Sequence, residues 1–228
     1  MRCYGRSPPT VEPDELGGRL LVIEGPDGVG RSTQIQLLTE RLEQQGHAVS
    51  HVGLSRSMLA GEALEVAKAG HQMRPRTAAL FYAADFFDQM ERQMVPALRA
   101  GMVVLADRYV QSLMARAIVR GMDAAWLKRI YEGALVPDAV MNLQATPRRL
   151  IERQLHKLGQ LDYWESGMDL GISTDWHESS LRYQVRLRRV MEGLRDEFPY
   201  ETVNANRSIR TIQRDLRGRV QRVLETRA

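Results

Sequence analysis

Short apolar runs and longer amphipathic repeats alternate along this chain. Runs of strand length occur at 20–23, 47–53, 102–106, 138–143 and 200–203, and the run MVVLA at 102–106 contains no polar residue. Such a continuous run is typical of a parallel strand that is covered on both faces. Strands separated by helical segments predict an α/β domain, so we expect a three-layer α/β/α fold with a parallel sheet of about five strands and right-handed crossovers.

Apolar residues at helical spacing fill most of the segments between these runs. The pattern predicts helices over 32–46, 77–99, 123–134 and 176–197, with further helices after residue 109 and from Pro147. The last helix has one uninterrupted apolar stripe, formed by Ile209, Ile212, Leu216, Val220 and Val223.

Two segments lack this periodicity. Residues 1–18 contain three prolines and three glycines, which predicts a flexible N-terminal tail ahead of a single domain at 19–228. Residues 157–175 are rich in glycine, aromatic and acidic residues. Because a long loop in a compact domain usually has a function, we interpret this second segment as a lid over a ligand site.

The turn after the first strand is the strongest functional signal. Residues 25–32 read GPDGVGRS, which fits the phosphate-binding signature G-x-x-x-x-G-K-[ST] except that Arg31 replaces the lysine. The glycines and the start of the following helix allow backbone N–H groups to hold a polyphosphate, and the Ser32 hydroxyl would bind a magnesium ion. The alternative interpretation is an ordinary glycine-rich turn.

Arg31 affects catalysis more than binding. A guanidinium still binds phosphate, but it is longer and planar where an ammonium is compact. Losing one contact that stabilises transition-state charge costs ~3 kcal/mol, or about a hundredfold in rate. The sequence therefore predicts phosphate binding more directly than it predicts catalytic turnover.

A second charged cluster follows the run at 102–106. Asp107 lies at the tip of this strand, where it would organise magnesium, and a helix cap is the alternative. Arg116 and Arg120 lie four residues apart and share a helix face. Together with Arg108 they predict a cage for a second anionic group, the alternative being that one of the pair is a surface charge.

Composition excludes several classes of protein. The chain has 228 residues, enough for one domain with a full core, and a formal net charge of +4. The basic face of the last helix has no interleaved aromatic residues, so we expect a solvated face and no nucleic-acid partner. Cys3 is the only cysteine, and no segment has the length of a membrane span. We therefore expect a cytoplasmic protein without disulfides.

Taken together, the motifs resemble those of the thymidylate kinase family of P-loop nucleoside monophosphate kinases. The resemblance covers nearly the whole chain from Arg19 to Leu224. It rests on GPDGVGRSTQ at 25–34, LFYAAD at 80–85, DRY at 107–109 with Arg120-Gly121 downstream, Pro137-Asp138 before a strand, and a lid followed by a helical C-terminus.

The resemblance implies an ATP:dTMP phosphotransferase with Mg²⁺ as cofactor, and it suggests a homodimer. The implied ATP-binding residues are Gly25, Pro26, Asp27, Gly28, Val29, Gly30, Arg31, Ser32, Thr33, Asn206 and Arg207. The implied acceptor-binding residues are Asp27, Arg56, Tyr82, Phe86, Arg108, Tyr109, Arg116 and Arg120, with Tyr82 stacking on the base. The implied catalytic residues are Arg31, Asp107, Arg108, Arg153 and Lys157, with Ser32 and Asp107 around the metal.

Three departures from the family pattern leave alternatives open. Arg31 replaces the loop lysine, and the lid has few cations. Phe86, or Asp85 if the register slips by one residue, stands where the family has a base-reading arginine. The chain is therefore interpreted as a dTMP kinase, with a kinase for another nucleoside monophosphate and a nucleotide-binding protein of weak or no activity as the alternatives.

Overall fold

The structure is a computed structural model that describes residues 1–9, 11–70 and 73–226, and the side chains at 13, 157 and 158 lie outside that description. Its strands are β1 (Arg19–Glu24), β2 (Val49–Gly53), β3 (Val103–Asp107), β4 (Ala139–Gln144) and β5 (Glu201–Asn204). Its helices are α1 (Arg31–Gln44), α2 (Gly61–Ala69), α3 (Pro75–Gln89), α4 (Val95–Arg99), α5 (Val110–Val119), α6 (Ala124–Ile130), α7 (Pro147–Leu158), α8 (Trp176–Gly193) and α9 (Ile209–Glu225).

The strands form one parallel sheet in the order β2-β3-β1-β4-β5. In the register of the sheet, Leu21 of β1 pairs with Leu105 of β3 on one side and with Ala139 of β4 on the other. All carboxyl ends therefore meet at one edge, where open α/β folds bind their ligands. The predicted α/β/α fold with five parallel strands is confirmed.

Helices cover both faces of the sheet. On one face, Leu21 and Ile23 of β1 pack in a cluster with Leu38 of α1 and Leu216 of α9. On the other face, Leu20 and Val22 join a cluster with residues of α3, α4, α5 and α8. Alternate residues of β1 thus point to opposite layers, as expected for a strand that is buried on both sides. No helix in the described part of the chain is long and apolar enough to cross a membrane.

The helix predicted over 77–99 is interrupted. It begins at Pro75, continues as α3 to Gln89, passes through a π-helical turn at Met90–Met94 and ends as α4. Pro96 explains the change of pitch, because its ring has no N–H to continue the α-helical hydrogen-bond ladder. Helix α2, within the segment between the second and third strands, was not predicted from the sequence.

The N-terminal segment packs against the domain, which differs from the flexible tail that the composition predicts. Cys3 forms an antiparallel bridge with Leu135. The Tyr4 ring lies 4.6 Å from that of Phe198, centroid to centroid. Val11 and Leu16 are buried in the same core cluster, and the prolines and glycines around these apolar residues obscured them in the sequence.

Candidate active site

The turn between β1 and α1 has the backbone of an anion-binding loop. Gly25 and Gly28 have φ angles of 142° and 78°, in the region that favours glycine. A Cβ atom would lie 2.6 Å from the Leu143 carbonyl oxygen at Gly25 and 2.7 Å from the Leu150 carbonyl oxygen at Gly28. No side chain among the described residues caps the start of α1, so its first N–H groups point to the space a phosphate would fill.

Arg31 folds back into this loop. Its Nη1 donates to the carbonyl oxygens of Gly25 and Pro26 at 2.5 and 2.7 Å, its Nε donates to Asp107 at 2.7 Å, and its Nη2 donates to Asp27 at 3.1 Å. Burial alone would lower the pKa of Arg31, but Asp27 and Asp107 raise it, so the guanidinium stays charged. The single nitrogen of a lysine could not make all four contacts at once.

Ser32 and Asp107, the predicted metal ligands, line one cavity of about 300 Å³ together with Arg56 and His51. Asp107 ends β3 and pairs with Arg31 at 2.7 Å and with Arg56 at 3.5 Å. A hydroxyl and a carboxylate are oxygen ligands of the kind that Mg²⁺ takes together with substrate phosphates. The residues present therefore fit a magnesium site.

Asp27 joins the loop to the predicted acceptor cage. Its carboxylate lies 2.8 Å from Nη2 of Arg108 and 3.5 Å from Nη2 of Arg116, besides the contact with Arg31. Burial would raise the pKa of Asp27, but Arg108, a hydrogen bond with the Glu165 carboxyl group and the other two arginines overcome this effect and hold the pKa well below its usual range. The two predicted anion-binding groups therefore meet at one ionised side chain.

Glu24 holds the backbone on which Arg108 is mounted. This fully buried carboxylate accepts hydrogen bonds from the backbone N–H groups of Gly25 at 3.2 Å, Tyr109 at 2.8 Å and Ser112 at 3.2 Å. Arg108 has a φ angle of 74°, in the left-handed region that few residues other than glycine adopt. Local strain of this kind is typical of functional sites.

The lid contributes carboxylates that pair with the arginines of α5 and its C-terminal end. Glu165 Oε1 pairs with Nη1 of Arg116 at 2.5 Å. Burial raises the pKa of Glu165 to about 7, with Arg116 opposing the shift and Asp27 adding to it. Arg108, the other cation facing this carboxyl group, lowers the pKa as well. Glu165 therefore takes up a proton more readily than an ordinary glutamate.

Arg120 anchors the lid and does not face the loop. Its Nε and Nη2 donate to the two oxygens of Asp169 at 2.8 and 3.0 Å, and Nη2 also donates to the Trp164 carbonyl oxygen at 2.8 Å. Its Nη1 donates to the hydroxyl of Tyr183 at 3.1 Å. The lid carboxylate of Asp169 therefore pairs with Arg120, which also donates from Nη1 to the Arg116 carbonyl oxygen at 3.2 Å.

Tyr82 faces a small cavity between α3, α5 and the lid. The cavity has a volume of about 40 Å³, and Lys68, Arg116, Arg120 and Trp164 also line it. Trp164 closes it from the lid side, where its Nε1 donates to the Lys68 carbonyl oxygen at 3.0 Å. This cavity is where the predicted stacking of a nucleobase on Tyr82 would take place, with Trp164 of the lid as one wall.

The structure places Phe86 and Tyr109 away from this cavity, contrary to their predicted acceptor contacts. The ring of Phe86 packs edge-on against those of Tyr109 and Tyr131, with centroids 5.1 and 5.7 Å apart. The Tyr109 hydroxyl donates to the Leu135 carbonyl oxygen at 2.8 Å. Both rings belong to the apolar core, Phe86 from α3 and Tyr109 from the residue that precedes α5.

Only some of the residues predicted on the ATP side lie close to the phosphate loop. Arg153 donates from Nη1 to the Val29 carbonyl oxygen and from Nη2 to that of Ala205, both at 3.2 Å, so it connects the loop to the turn after β5. Asn206 in that turn accepts a hydrogen bond from the Thr146 N–H at 3.2 Å. Arg207 is exposed, and the Lys157 side chain lies outside the described residues.

Sequence reasoning missed four residues that organise the site: Glu24, Trp164, Glu165 and Asp169. The signal for Glu24 was present, since a carboxylate directly before a phosphate loop at the end of an apolar strand has to be buried. The acidic lid residues were visible too, but without a known partner their charge indicated only that the lid is not cationic.

Comparison with known proteins gives a consistent picture. A family model described as thymidylate kinase matches residues 23–216. The chain is 31% identical over 203 residues to the "Probable thymidylate kinase 2" of Saccharolobus solfataricus, covering 89% of this chain and 95% of that protein. It is 30% identical over 214 residues to a probable thymidylate kinase of Thermococcus gammatolerans, covering 90% and 96%. It is 37% identical over 191 residues to a thymidylate kinase of Thermomicrobium roseum, covering 80% and 91%.

Proposed function

Because the chain belongs to the thymidylate kinase family, we propose that it transfers the γ-phosphoryl group of ATP to dTMP, giving ADP and dTDP. The observation that carries the proposal is the meeting of two anion-binding groups at Asp27. The phosphate loop lies on one side of this carboxylate, and Arg108 and Arg116 lie on the other.

The geometry suits an in-line transfer between two phosphates. The attacking oxygen of the acceptor phosphate forms a bond to the γ-phosphorus while the bond to the ADP oxygen breaks. Such a reaction needs positioning and neutralisation of charge more than proton transfer. Arg108 and Arg116 supply cations on the acceptor side. On the donor side, the backbone N–H groups of the loop supply hydrogen-bond donors, and Arg31 keeps its positive charge beside them.

We also propose that Ser32 and Asp107 hold Mg²⁺ with the ATP phosphates. Both side chains line the cavity beside the start of α1. The ion would neutralise charge on the β- and γ-phosphates. If Asp107 is a ligand, Asp107→Asn should raise the Mg²⁺ concentration for half-maximal rate about tenfold.

A homodimer in the cytoplasm completes the proposal. Met58, Leu59 and Val66 are large apolar side chains that the structure leaves mostly exposed around α2, and such patches often mark interfaces. Sedimentation should give a molecular mass of twice that of one chain, and in the Leu59→Glu variant the mass should fall to that of a single chain. The free thiol of Cys3 agrees with a reducing compartment.

The decisive test measures ADP release with each nucleoside and deoxynucleoside monophosphate at saturating Mg-ATP. The highest kcat/KM is expected with dTMP, and a higher value with another acceptor would overturn the proposed substrate. Arg116→Met should lower kcat/KM for dTMP about a hundredfold, while Arg129→Met, which removes an exposed arginine of α6, should leave it unchanged. Tight ATP binding without phosphoryl transfer to any acceptor would overturn the proposed enzymatic activity.

A further inference from the structure

A second, larger cavity lies on the other side of the phosphate loop, under α8. It has a volume of about 490 Å³, and its walls come from the end of β4, the start of α7, one face of α8 between Gln184 and Glu192, the loop residues Gly25 and Pro26, and Arg108 with Ser112. Tyr82, Trp164 and the turn at 204–208 do not line it. It adjoins the predicted acceptor cage at Arg108, but it is distinct from the cavity at Tyr82 and from the predicted adenine side.

The walls are largely apolar but contain several carboxamides. Leu150, Leu187 and Met191 supply apolar surface, and Asn142, Gln144 and Gln184 supply amide groups. A mostly apolar cavity with a few convergent polar groups is the usual form of a small-molecule site. Side-chain amides offer a donor and an acceptor together, which suits the edge of a nucleobase.

Gln184 gives independent evidence of a missing partner. Its side chain is 4% exposed, and Nε2 has no hydrogen-bond partner within the described residues. An unpaired buried donor destabilises a fold by about 1–3 kcal/mol. A carbonyl oxygen or ring nitrogen of a bound ligand would satisfy it.

The opening of the cavity is basic. Arg188 and Arg189 line it and are exposed, as is Val185 beside them. The one acidic residue in the lining, Glu192, lies 3.6 Å from Arg195. A ligand with a flat heterocycle and an anionic tail matches the amides inside and the arginines outside.

We propose that this cavity binds a nucleotide, with the base beside Gln184 and the phosphates at Arg188 and Arg189, as an effector site in addition to the two substrate sites. Gly25 and Pro26 connect it to the loop, because their carbonyl oxygens accept the hydrogen bonds of Arg31. A ligand here therefore changes the affinity of the loop for its own nucleotide, and by linkage the reverse also holds.

The test uses the Met191 methyl group, which lines the cavity, as a probe in protein labelled with ¹³C-methyl methionine. The full chain is held at saturating dTMP and ADP, and ATP, dTTP, dCTP and dGTP are titrated separately. We expect at least one of them to shift the Met191 resonance saturably. The midpoint should rise about tenfold in Gln184→Leu and in Arg189→Gln, the loss of about one good hydrogen bond.

Arg186→Gln is the matched control, because Arg186 is exposed on the same helix and does not line the cavity. Its midpoint should equal that of the unaltered protein, and Gln184→Leu should keep the same kcat with dTMP. The absence of a saturable shift with all four nucleotides, or equal midpoints in the unaltered protein and Gln184→Leu, would overturn the site. An ADP dissociation constant that does not change when the cavity is filled would overturn the coupling.

Discussion

Replacing Arg120 by lysine should loosen the lid by a measurable amount. Arg120 makes a two-point contact with Asp169 at 2.8 and 3.0 Å and further hydrogen bonds to Trp164 and Tyr183 at 2.8 and 3.1 Å. Removing one partner of a buried pair costs about 3–5 kcal/mol. Lysine keeps the charge and one contact, so we expect a smaller loss of about 2–3 kcal/mol in the free energy of unfolding, or about 4–12 °C in Tm.

The assay combines urea denaturation with native-state hydrogen exchange of residues 161–170, whose amides should exchange faster in the variant. Asp169→Asn and the double variant complete a thermodynamic cycle, which should give a coupling energy of about 1–2 kcal/mol. The control is Arg182→Lys, since Arg182 and its partner Glu178 are both exposed on α8, and it should cost less than about 0.5 kcal/mol. If the Arg120→Lys protein is as stable as that control and the hydrogen exchange of residues 161–170 is unchanged, Arg120 does not anchor the lid.

Three further results are expected. The closed lid should be most stable at low pH and should weaken as pH rises through about 7, because burial raises the pKa of Glu165 to about 7, above the usual range of a glutamate; Glu165→Gln should remove this dependence of lid exchange on pH. In steady-state kinetics, Arg31→Met should lower kcat/KM for ATP about a hundredfold. Its KM for dTMP should stay within about threefold of the value for the unaltered protein. Gln184→Leu should raise the free energy of unfolding by about 1 kcal/mol in urea, because it removes a buried donor without a partner.

The sequence predicted the order of strands and helices and the phosphate loop because these follow from local periodicity and spacing. It also predicted that Asp107 and Arg108 lie near the loop, since both follow a strand that ends at the same edge of the sheet. These are consequences of parallel topology. They need no knowledge of side-chain contacts.

Other parts of the site depend on contacts between distant segments, which a pattern does not show. The lid pairs its carboxylates with Arg116 and Arg120 across about 50 residues of chain. The sequence predicted an acceptor contact for Phe86, but its side chain is buried in the core. Helix α3 has only weak amphipathicity, so the pattern gave no clear signal for its inward face. The cavity under α8 arises from the packing of three elements, and no motif marks it.

The hydrogen bonds of Glu24 tie the first residue of the phosphate loop to the segment that bears Arg108. In the proposed reaction, donor and acceptor phosphates would therefore approach one platform, and neither half of it can slide relative to the other without exposing a buried carboxylate. Closure over the proposed substrates would come from the outer parts of the molecule, the lid and the helices around Tyr82. The spacing of the two proposed phosphate sites is thus set by the fold itself.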